Sequence, residues 1–259
     1  SCACPFCHKM STLRAMTVPK YDLDKIKFAT GNPTWEKAVN LYERGRVTRF
    51  KDNDGSFAAV VMGGNPYETW VSAEKFDVGD CACYLGRKDE LCKHLVALAI
   101  RVAAGGRLLL EKEKTMRSAP ERSGTTGNLT TDELKLAQGA ISAAMRCIRA
   151  YTGPSRTWFA YQASLCEGCN RLSAVFSELP VSEQTAELVV KTLLRLDEKL
   201  CRGGVDDSDG TIGGFIEESV VMLERYTETD PLCTQAFPAL VGHKTCFQWE
   251  EPLLKLIKK

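Results

Sequence analysis

The segment Cys81–His94 carries three cysteines and one histidine in the pattern C-x-C-x8-C-x-H. Three thiolates and one imidazole are the number and type of ligands that closed tetrahedral zinc sites use. We therefore predict that Cys81, Cys83, Cys92 and His94 bind one Zn2+. Because four protein ligands leave no coordination position for water, the predicted metal is structural rather than catalytic.

Two further cysteine pairs, Cys4/Cys7 and Cys166/Cys169, have C-x-x-C spacing. Two such pairs form a regular four-cysteine zinc site, which is our second predicted metal site. The alternative is that the N-terminal pair precedes a natural start at Met10 and that the other pair packs in a helix face. The scattered cysteines are interpreted as packed apolar residues. They are Cys147, Cys201, Cys233 and Cys246.

The predicted ligands need a scaffold, and residues 34–117 have the pattern of an α+β domain. Apolar residues at helical spacing predict one helix over Pro33–Glu43 and another over Leu91–Ala104. Between the two helices, turn residues separate three runs that predict an antiparallel β-meander. The runs are Arg46–Lys51, Phe57–Met62 and Tyr67–Ser72. The zinc ligands would then fix the end of the meander to the second helix.

The rest of the chain is divided by composition. Residues 1–33 form a cysteine-rich N-terminal segment, residues 118–131 are a linker rich in Ser, Thr and Gly, and residues 132–259 predict an all-α domain. This domain is expected to be a helical bundle or a helical-repeat-like stack. Its predicted helices are Leu129–Tyr151, Ser155–Glu178, Ser182–Cys201, Thr211–Thr227 and Trp249–Ile257. Thr130 or Thr131 ahead of Glu133 predicts the first N-cap, and the Asp207–Asp209 turn caps the helix from Thr211.

Composition excludes several classes of protein. The chain has 259 residues, of which 44% are hydrophobic and 26% charged, values typical of a globular protein. Charges interrupt every apolar run, so no membrane span is predicted. The net charge of +1 argues against a strongly cationic nucleic-acid-binding protein. The chain has twelve cysteines, several of them in tight pairs, and no secretory leader is predicted. This favours metal binding in a reducing compartment, and we expect a cytoplasmic protein.

The cysteine and histidine pattern, followed by the apolar segment Cys92–Leu98, resembles the SWIM-type zinc finger. Two neighbouring segments resemble the same family. Ala38–Val47 has a tyrosine and an Arg-Gly pair before a β-branched residue. Tyr67–Val71 resembles the strand that precedes the metal-binding cysteines. The resemblance covers about residues 34–104. The turn Asp206–Gly213 resembles the helical region that follows the finger in some bacterial and archaeal members.

This resemblance implies a zinc-binding adaptor or recognition module with a protein partner and, as a further candidate, nucleic acid. The alternative is a non-catalytic accessory subunit of a recombination, remodelling or ATPase-driven complex, and a third reading is a redox or metal-storage protein. No phosphate-binding loop or catalytic triad order is found, so we expect neither an enzyme nor a small-molecule substrate. The candidate phosphate contacts are Arg46, Arg49, Arg87, Lys88 and Lys93. The alternative for these five is an ordinary solvated face, since acidic residues are interleaved with them.

Overall fold

The computed structural model describes residues 17–117, 119–154 and 158–257, with only the backbone of residues 159 and 160. The architecture is mixed α+β, as predicted, with one small antiparallel sheet and a larger set of helices. None of the helices described is both long enough and apolar enough to cross a membrane.

The chain forms two compact units, which we call unit 1 and unit 2. Unit 1 comprises the described residues up to Ile26 together with Lys37–Leu109. Unit 2 comprises Lys27–Glu36 and the described residues from Leu110 onward. Residues 27–36 and 110–117, which the sequence placed outside the helical domain, therefore belong with it.

Side-chain hydrogen bonds to the backbone join these two segments of unit 2 to each other. The Trp35 indole Nε1 donates to the carbonyl oxygen of Lys114 at 2.7 Å. The Lys27 ammonium donates to the carbonyl oxygen of Lys112 at 2.8 Å. Trp35 is fully buried, so its bond satisfies a polar group that would otherwise be costly to bury.

The elements as far as residue 109 include the predicted order of helix, strands and helix, and they begin with a short helix that was not predicted. In chain order they are α1 (Leu23–Ala29), α2 (Asn32–Glu43), β1 (Val47–Asp52), β2 (Ser56–Met62), β3 (Pro66–Ser72), β4 (Gly79–Cys81), a 3-10 helix (Gly86–Lys88) and α3 (Lys93–Ala103). The sheet is antiparallel with strand order β1-β2-β3-β4. The sheet therefore has a fourth strand, β4, in addition to the three strands predicted from the sequence.

The core of the sheet follows from alternation along β2 and from the apolar helix α3. Phe57, Ala59 and Val61 are buried on one face of β2, and every second residue between them is partly exposed. Leu98 and Ile100 of α3 are completely buried. Because alternate residues of a strand share a face, one side of the sheet is covered and the other is open to solvent.

A β-bulge in β1 breaks the simple alternation. The pairing register with β2 shifts between Thr48 and Lys51, and Arg49 adopts a left-handed conformation with φ of 52°. The extra residue lets Phe50 stack on Phe57, with ring centroids 5.9 Å apart, and leaves Arg49 exposed.

Unit 2 is built mainly from helices around one apolar core. Its elements from residue 110 onward are α4 (Glu111–Lys114), α5 (Thr131–Met145), α6 (Trp158–Glu178), α7 (Glu183–Cys201), α8 (Thr211–Thr229), a second 3-10 helix (Pro231–Leu240) and α9 (Glu251–Ile257). Phe176, Leu193, Ile216 and Phe237 are among its fully buried side chains. The long 3-10 helix was not predicted, and the predicted helix Leu129–Tyr151 is shorter in the structure.

The predicted helix starts are capped by the expected residues. Thr130 Oγ1 accepts a hydrogen bond from Glu133 N, and the Glu133 carboxylate accepts one from Thr130 N, which completes a capping box. Asp207 accepts from the backbone N–H groups of Ile212 and Gly213 at the start of α8, at 2.8 and 2.9 Å. These bonds satisfy N–H groups that have no partner inside the helix.

The segment predicted as a linker, 118–131, is hydrogen-bonded to unit 2 over much of its described length. Glu121 N donates to Ser177 Oγ at 2.9 Å. Thr126 forms a parallel bridge with Val181, and Gly127 N donates to the Val181 carbonyl oxygen at 3.0 Å. This segment, rich in Ser, Thr and Gly, is therefore an extended stretch of chain that is hydrogen-bonded to the rest of unit 2.

Candidate metal centre

The four predicted zinc ligands come from the end of the sheet and the start of α3. Cys81 is the last residue of β4, and Cys83 follows it two residues later. The first 3-10 helix then reverses the chain, so that Cys92 is the N-cap of α3 and His94 lies in its first turn. The loop between the two ligand pairs is therefore held at both ends by regular structure.

The structure brings the four ligand atoms together. One atom from each of Cys81, Cys83, Cys92 and His94 lies within 4.8 Å of the others. The Cys81 Sγ and His94 Nδ1 atoms are 3.8 Å apart. All four residues are buried, with at most 6% of any side chain exposed. Tetrahedral zinc with bonds of about 2.0–2.3 Å holds its ligand atoms roughly 3.5–3.8 Å apart, and the distance between Cys81 Sγ and His94 Nδ1 matches this spacing.

Hydrogen bonds donated to the three sulfur atoms stabilise negative charge on them. Gly86 N donates to Cys83 Sγ at 3.3 Å, and Leu95 N donates to Cys92 Sγ at 3.5 Å. The Thr69 hydroxyl donates to Cys81 Sγ at 3.4 Å. Donors directed at an ion's ligands orient them and tune their basicity, and here each sulfur has one.

The tight turn after Cys83 requires glycine. A Cβ atom on Gly86 would lie 2.0 Å from the carbonyl oxygen of Cys81. This close approach brings the Gly86 N–H to the Cys83 sulfur. A side chain at position 86 would push the turn away from both cysteines.

His94 presents its Nδ1 atom to the cluster. The Tyr67 ring packs on the imidazole with centroids 4.5 Å apart. On another side, a Cβ atom added to Gly63 would lie 2.6 Å from His94 Nε2. Nε2 is buried and has no hydrogen-bond partner among the described residues. The imidazole is thus confined by packing, and Nδ1 is the nitrogen that faces the sulfur atoms.

The cluster shifts the pKa values of its thiols in opposite directions. The hydrogen bond from Cys92, helped by His94 and Thr69, lowers the pKa of the Cys81 thiol well below its usual range. The hydrogen bond to Cys81, and then burial, raise the pKa of the Cys92 thiol. The sulfur atoms therefore share protons, and a bound divalent cation takes the place of those protons.

The second predicted site, formed by Cys4, Cys7, Cys166 and Cys169, lies partly outside the described residues and stays a prediction. Cys4 and Cys7 lie outside the described residues. Cys166 and Cys169 are on α6, where Cys166 is exposed and Cys169 is buried. Burial raises the pKa of the Cys169 thiol well above its usual value. Among the described residues, the only other group with metal-site spacing is Asp197, Cys201 and Cys246.

The five predicted phosphate contacts surround the candidate metal centre or lie on β1. Arg87 and Lys88 are in the 3-10 helix between Cys83 and Cys92. Lys93 lies between Cys92 and His94 at the start of α3. Arg46 and Arg49 lie before and within β1. Four of the five are exposed and Lys93 is half-buried. Within the described part of the chain, none of them has an ion-pair partner.

Unit 1 has one strongly exposed aromatic residue close to the candidate metal centre. Phe57 is buried in the core of the sheet. Tyr84, however, lies between Cys83 and the 3-10 helix with 69% of its surface exposed, and the Lys88 ammonium lies 4.4 Å from its ring centroid. The only signal for this exposure in the sequence is that Tyr84 lies among predicted metal ligands and charged residues.

We compared the chain with models of known families, with curated proteins and with solved structures, and none of the three comparisons gave a match. The assignment of the candidate metal centre therefore depends on its own geometry.

Proposed function

We propose that the chain is a non-catalytic zinc-binding recognition module of the SWIM type. The observation that carries this proposal is the cluster of four buried ligand atoms within 4.8 Å of one another. Four protein ligands complete a tetrahedron, so the ion stabilises the loop and does not activate water. Zinc would hold residues 83–92 against α3 and display the exposed side chains of that loop.

The exposed side chains of residues 83–92, which we call the zinc loop, support recognition of an acidic partner. Arg87 and Lys88 project from the 3-10 helix next to Tyr84. Two cations and an exposed ring within one short turn suit a partner that offers carboxylates or phosphates. Asp89 and Glu90 follow them but make no ion pair with Arg87 or Lys88 among the described residues.

Nucleic acid is a second candidate because of the same Tyr84 and Lys88 arrangement. A base stacks on an exposed aromatic ring while a phosphate contacts a neighbouring cation. With only about five phosphate contacts, binding would be weak and the log–log salt dependence would have a slope of roughly −3 to −5.

The proposal is tested first by the metal. Protein purified without chelators should contain one zinc per chain, and Cys92→Ser should contain none. Cys233→Ser is the matched control, because Cys233 is equally buried but belongs to unit 2. A full complement of zinc in Cys92→Ser would contradict the proposed site.

Recognition is tested separately with zinc-loaded protein. Arg87→Glu with Lys88→Glu should abolish binding to an acidic peptide library or to a single-stranded oligonucleotide, while zinc content stays at one. The matched control reverses Lys25 and Lys75, which are exposed lysines of unit 1 outside the zinc loop. Equal loss of binding in both double variants would show that only net charge matters.

A further inference from the structure

Unit 2 holds a second pair of cysteines that the sequence had assigned to the packed interior. Cys201 is the last residue of α7, and Cys246 lies between the second 3-10 helix and α9. Their sulfur atoms are bonded to each other, and their Cα atoms are 5.8 Å apart. Both residues are exposed, which leaves the bond open to molecules in solution.

Asp197 on α7 binds the segment that carries Cys246 through hydrogen bonds that do not involve the sulfur atoms. Its Oδ1 atom accepts hydrogen bonds from Cys246 N at 2.8 Å and from the Trp249 indole Nε1 at 2.9 Å. Asp197 and Trp249 are both buried. These bonds fix the Cys246 segment on α7, so breaking the disulfide would not by itself release the segment.

Asp197 also provides an acceptor for each thiol of the reduced pair. Cys201 Sγ lies 3.6 Å from Asp197 Oδ2, and Cys246 Sγ lies 3.6 Å from the Asp197 carbonyl oxygen. A thiol is a weak donor that is satisfied at such distances. On reduction the two sulfur atoms move apart from bonding distance, and each thiol has an acceptor on Asp197 nearby.

A basic cavity of about 510 Å3 opens beside Cys201. Its walls include Arg195, Arg202, His243 and Lys244, and none of these four has an ion-pair partner within the described part of the chain. Two carboxylates, those of Asp197 and Glu198, also line the cavity. Against the three permanent cations Arg195, Arg202 and Lys244 they leave a formal net charge of +1. The cavity therefore has an excess of positive charge and is large enough for a small organic anion.

We propose that Cys201 and Cys246 are a reversible thiol–disulfide pair that exchanges with anionic low-molecular-weight thiols held in this cavity. In the reducing direction, a ligand thiolate attacks Cys201 Sγ and forms a mixed disulfide. The Cys201–Cys246 bond breaks, its electron pair goes to the Cys246 sulfur, and that thiolate takes a proton from water.

A second ligand thiolate then attacks the ligand sulfur of the mixed disulfide and releases Cys201, which is protonated in turn. The balance is one protein disulfide and two ligand thiols converted into two protein thiols and one ligand disulfide. The reverse reaction uses the ligand disulfide as oxidant. Attack at Cys201 is favoured because this residue lines the cavity.

The first test equilibrates the folded, zinc-loaded protein with mixtures of reduced and oxidised glutathione. Alkylation and peptide mass mapping should show two thiols appearing together, at Cys201 and Cys246, in a single two-electron transition. Cys201→Ser and Cys246→Ser should each remove the transition. Zinc content, followed in parallel, should stay constant and so separates this pair from the thiols of unit 1.

The second test measures whether the cavity selects an anionic thiol. Glutathione carries a net negative charge and cysteamine a positive one, so the ratio of their exchange rates reports the field at Cys201. Arg202→Glu with Lys244→Glu should lower that ratio about tenfold. Lys135→Glu with Lys255→Glu is the matched control, because these exposed lysines lie in unit 2 and do not line the cavity.

Three results would overturn the proposal. The pair could stay oxidised until unit 2 unfolds, which would make it a purely structural disulfide. The reduced protein could hold a second zinc that Cys201→Ser loses, which would make Asp197, Cys201 and Cys246 a metal site. An unchanged rate ratio in the cavity variant would show that the cavity does not bind the thiol.

Discussion

In unit 1, three cysteines lie buried around one imidazole, whereas in unit 2 Cys201 and Cys246 lie at the surface and are bonded to each other. The buried sulfur atoms receive hydrogen bonds from the chain and are shielded from external thiols. The exposed pair borders a basic cavity. Burial among other ligands therefore favours a metal ion, and exposure as a pair favours exchange.

A third environment isolates the effect of burial itself. Cys233 is completely buried in unit 2 but has no metal-type neighbours among the described residues. Burial raises the pKa of its thiol to about 11. Cys81 is just as buried, yet its pKa is lowered by Cys92, His94 and Thr69. The neighbours of a buried thiol, and not burial alone, therefore set the direction of its pKa shift.

The largest expected effect comes from removing one ligand of the cluster. Cys92→Ser should lose zinc and unfold unit 1, because a structural zinc contributes on the order of 10 kcal/mol to folding. Metal analysis and circular dichroism would show this, while Cys233→Ser should keep both the metal and the fold of unit 1. If Cys92→Ser stayed folded and zinc-bound, the two cysteine regions would not differ as described.

Loss of the exposed disulfide should have a smaller effect that is confined to unit 2. The bond joins residues separated by 45 positions, and the chain-entropy model assigns such a loop about 4 kcal/mol of stabilisation. Chemical denaturation of the wild-type protein with and without reductant should reveal this difference. In Cys201→Ser with Cys246→Ser, reductant should no longer change the stability of unit 2.

Alkaline pH should destabilise unit 2 through its buried thiols. The pKa of Cys233 is raised from 9.0 to about 11, so above pH 9 the unfolded state loses a proton that the folded state keeps. Stability is therefore fully present below pH 9 and falls, by up to about 1.4 kcal/mol per pH unit, as the pH rises towards 11. Urea unfolding at pH 8, 9 and 10 should show the decrease, and Cys233→Ala should reduce its slope.

The smallest effect concerns the confinement of His94. Gly63→Ala would place a methyl group within 2.6 Å of His94 Nε2 and tilt the imidazole. Changes of this kind around a metal ligand lower affinity by about tenfold or more. Competition with a chromogenic chelator should measure the loss, and Gly64→Ala, where a Cβ has open space, is the control. Equal affinities in the two variants would show that packing does not position His94.

Local patterns made the cluster of candidate metal ligands and most of the sheet predictable. The spacing of Cys81, Cys83, Cys92 and His94 is readable because both pairs lie within one short stretch of chain. The helix caps at Thr130 and Asp207 depend only on neighbouring residues, and they too were expected. Strand β4 was missed because it is three residues long and exists through its pairing with β3.

The features that the sequence did not predict are contacts between distant residues. Cys246 reaches Cys201 across 45 positions, and Asp197, which orients both, looks like an ordinary polar residue of an amphipathic helix. The closeness of Gly63 to His94 and the bulge at Arg49 likewise have no local signature. Tertiary packing determines these contacts, and the hydrophobic periodicity of the sequence contains no information about them.

X-ray absorption at the zinc edge tests the central claim most directly. The buried cluster should give one zinc per chain with three sulfur ligands at about 2.3 Å and one nitrogen ligand at about 2.0 Å. The spectrum should not change when both Cys201 and Cys246 are replaced by serine. A shell of four sulfur atoms, or one containing oxygen in place of the imidazole, would contradict the assignment of Cys81, Cys83, Cys92 and His94.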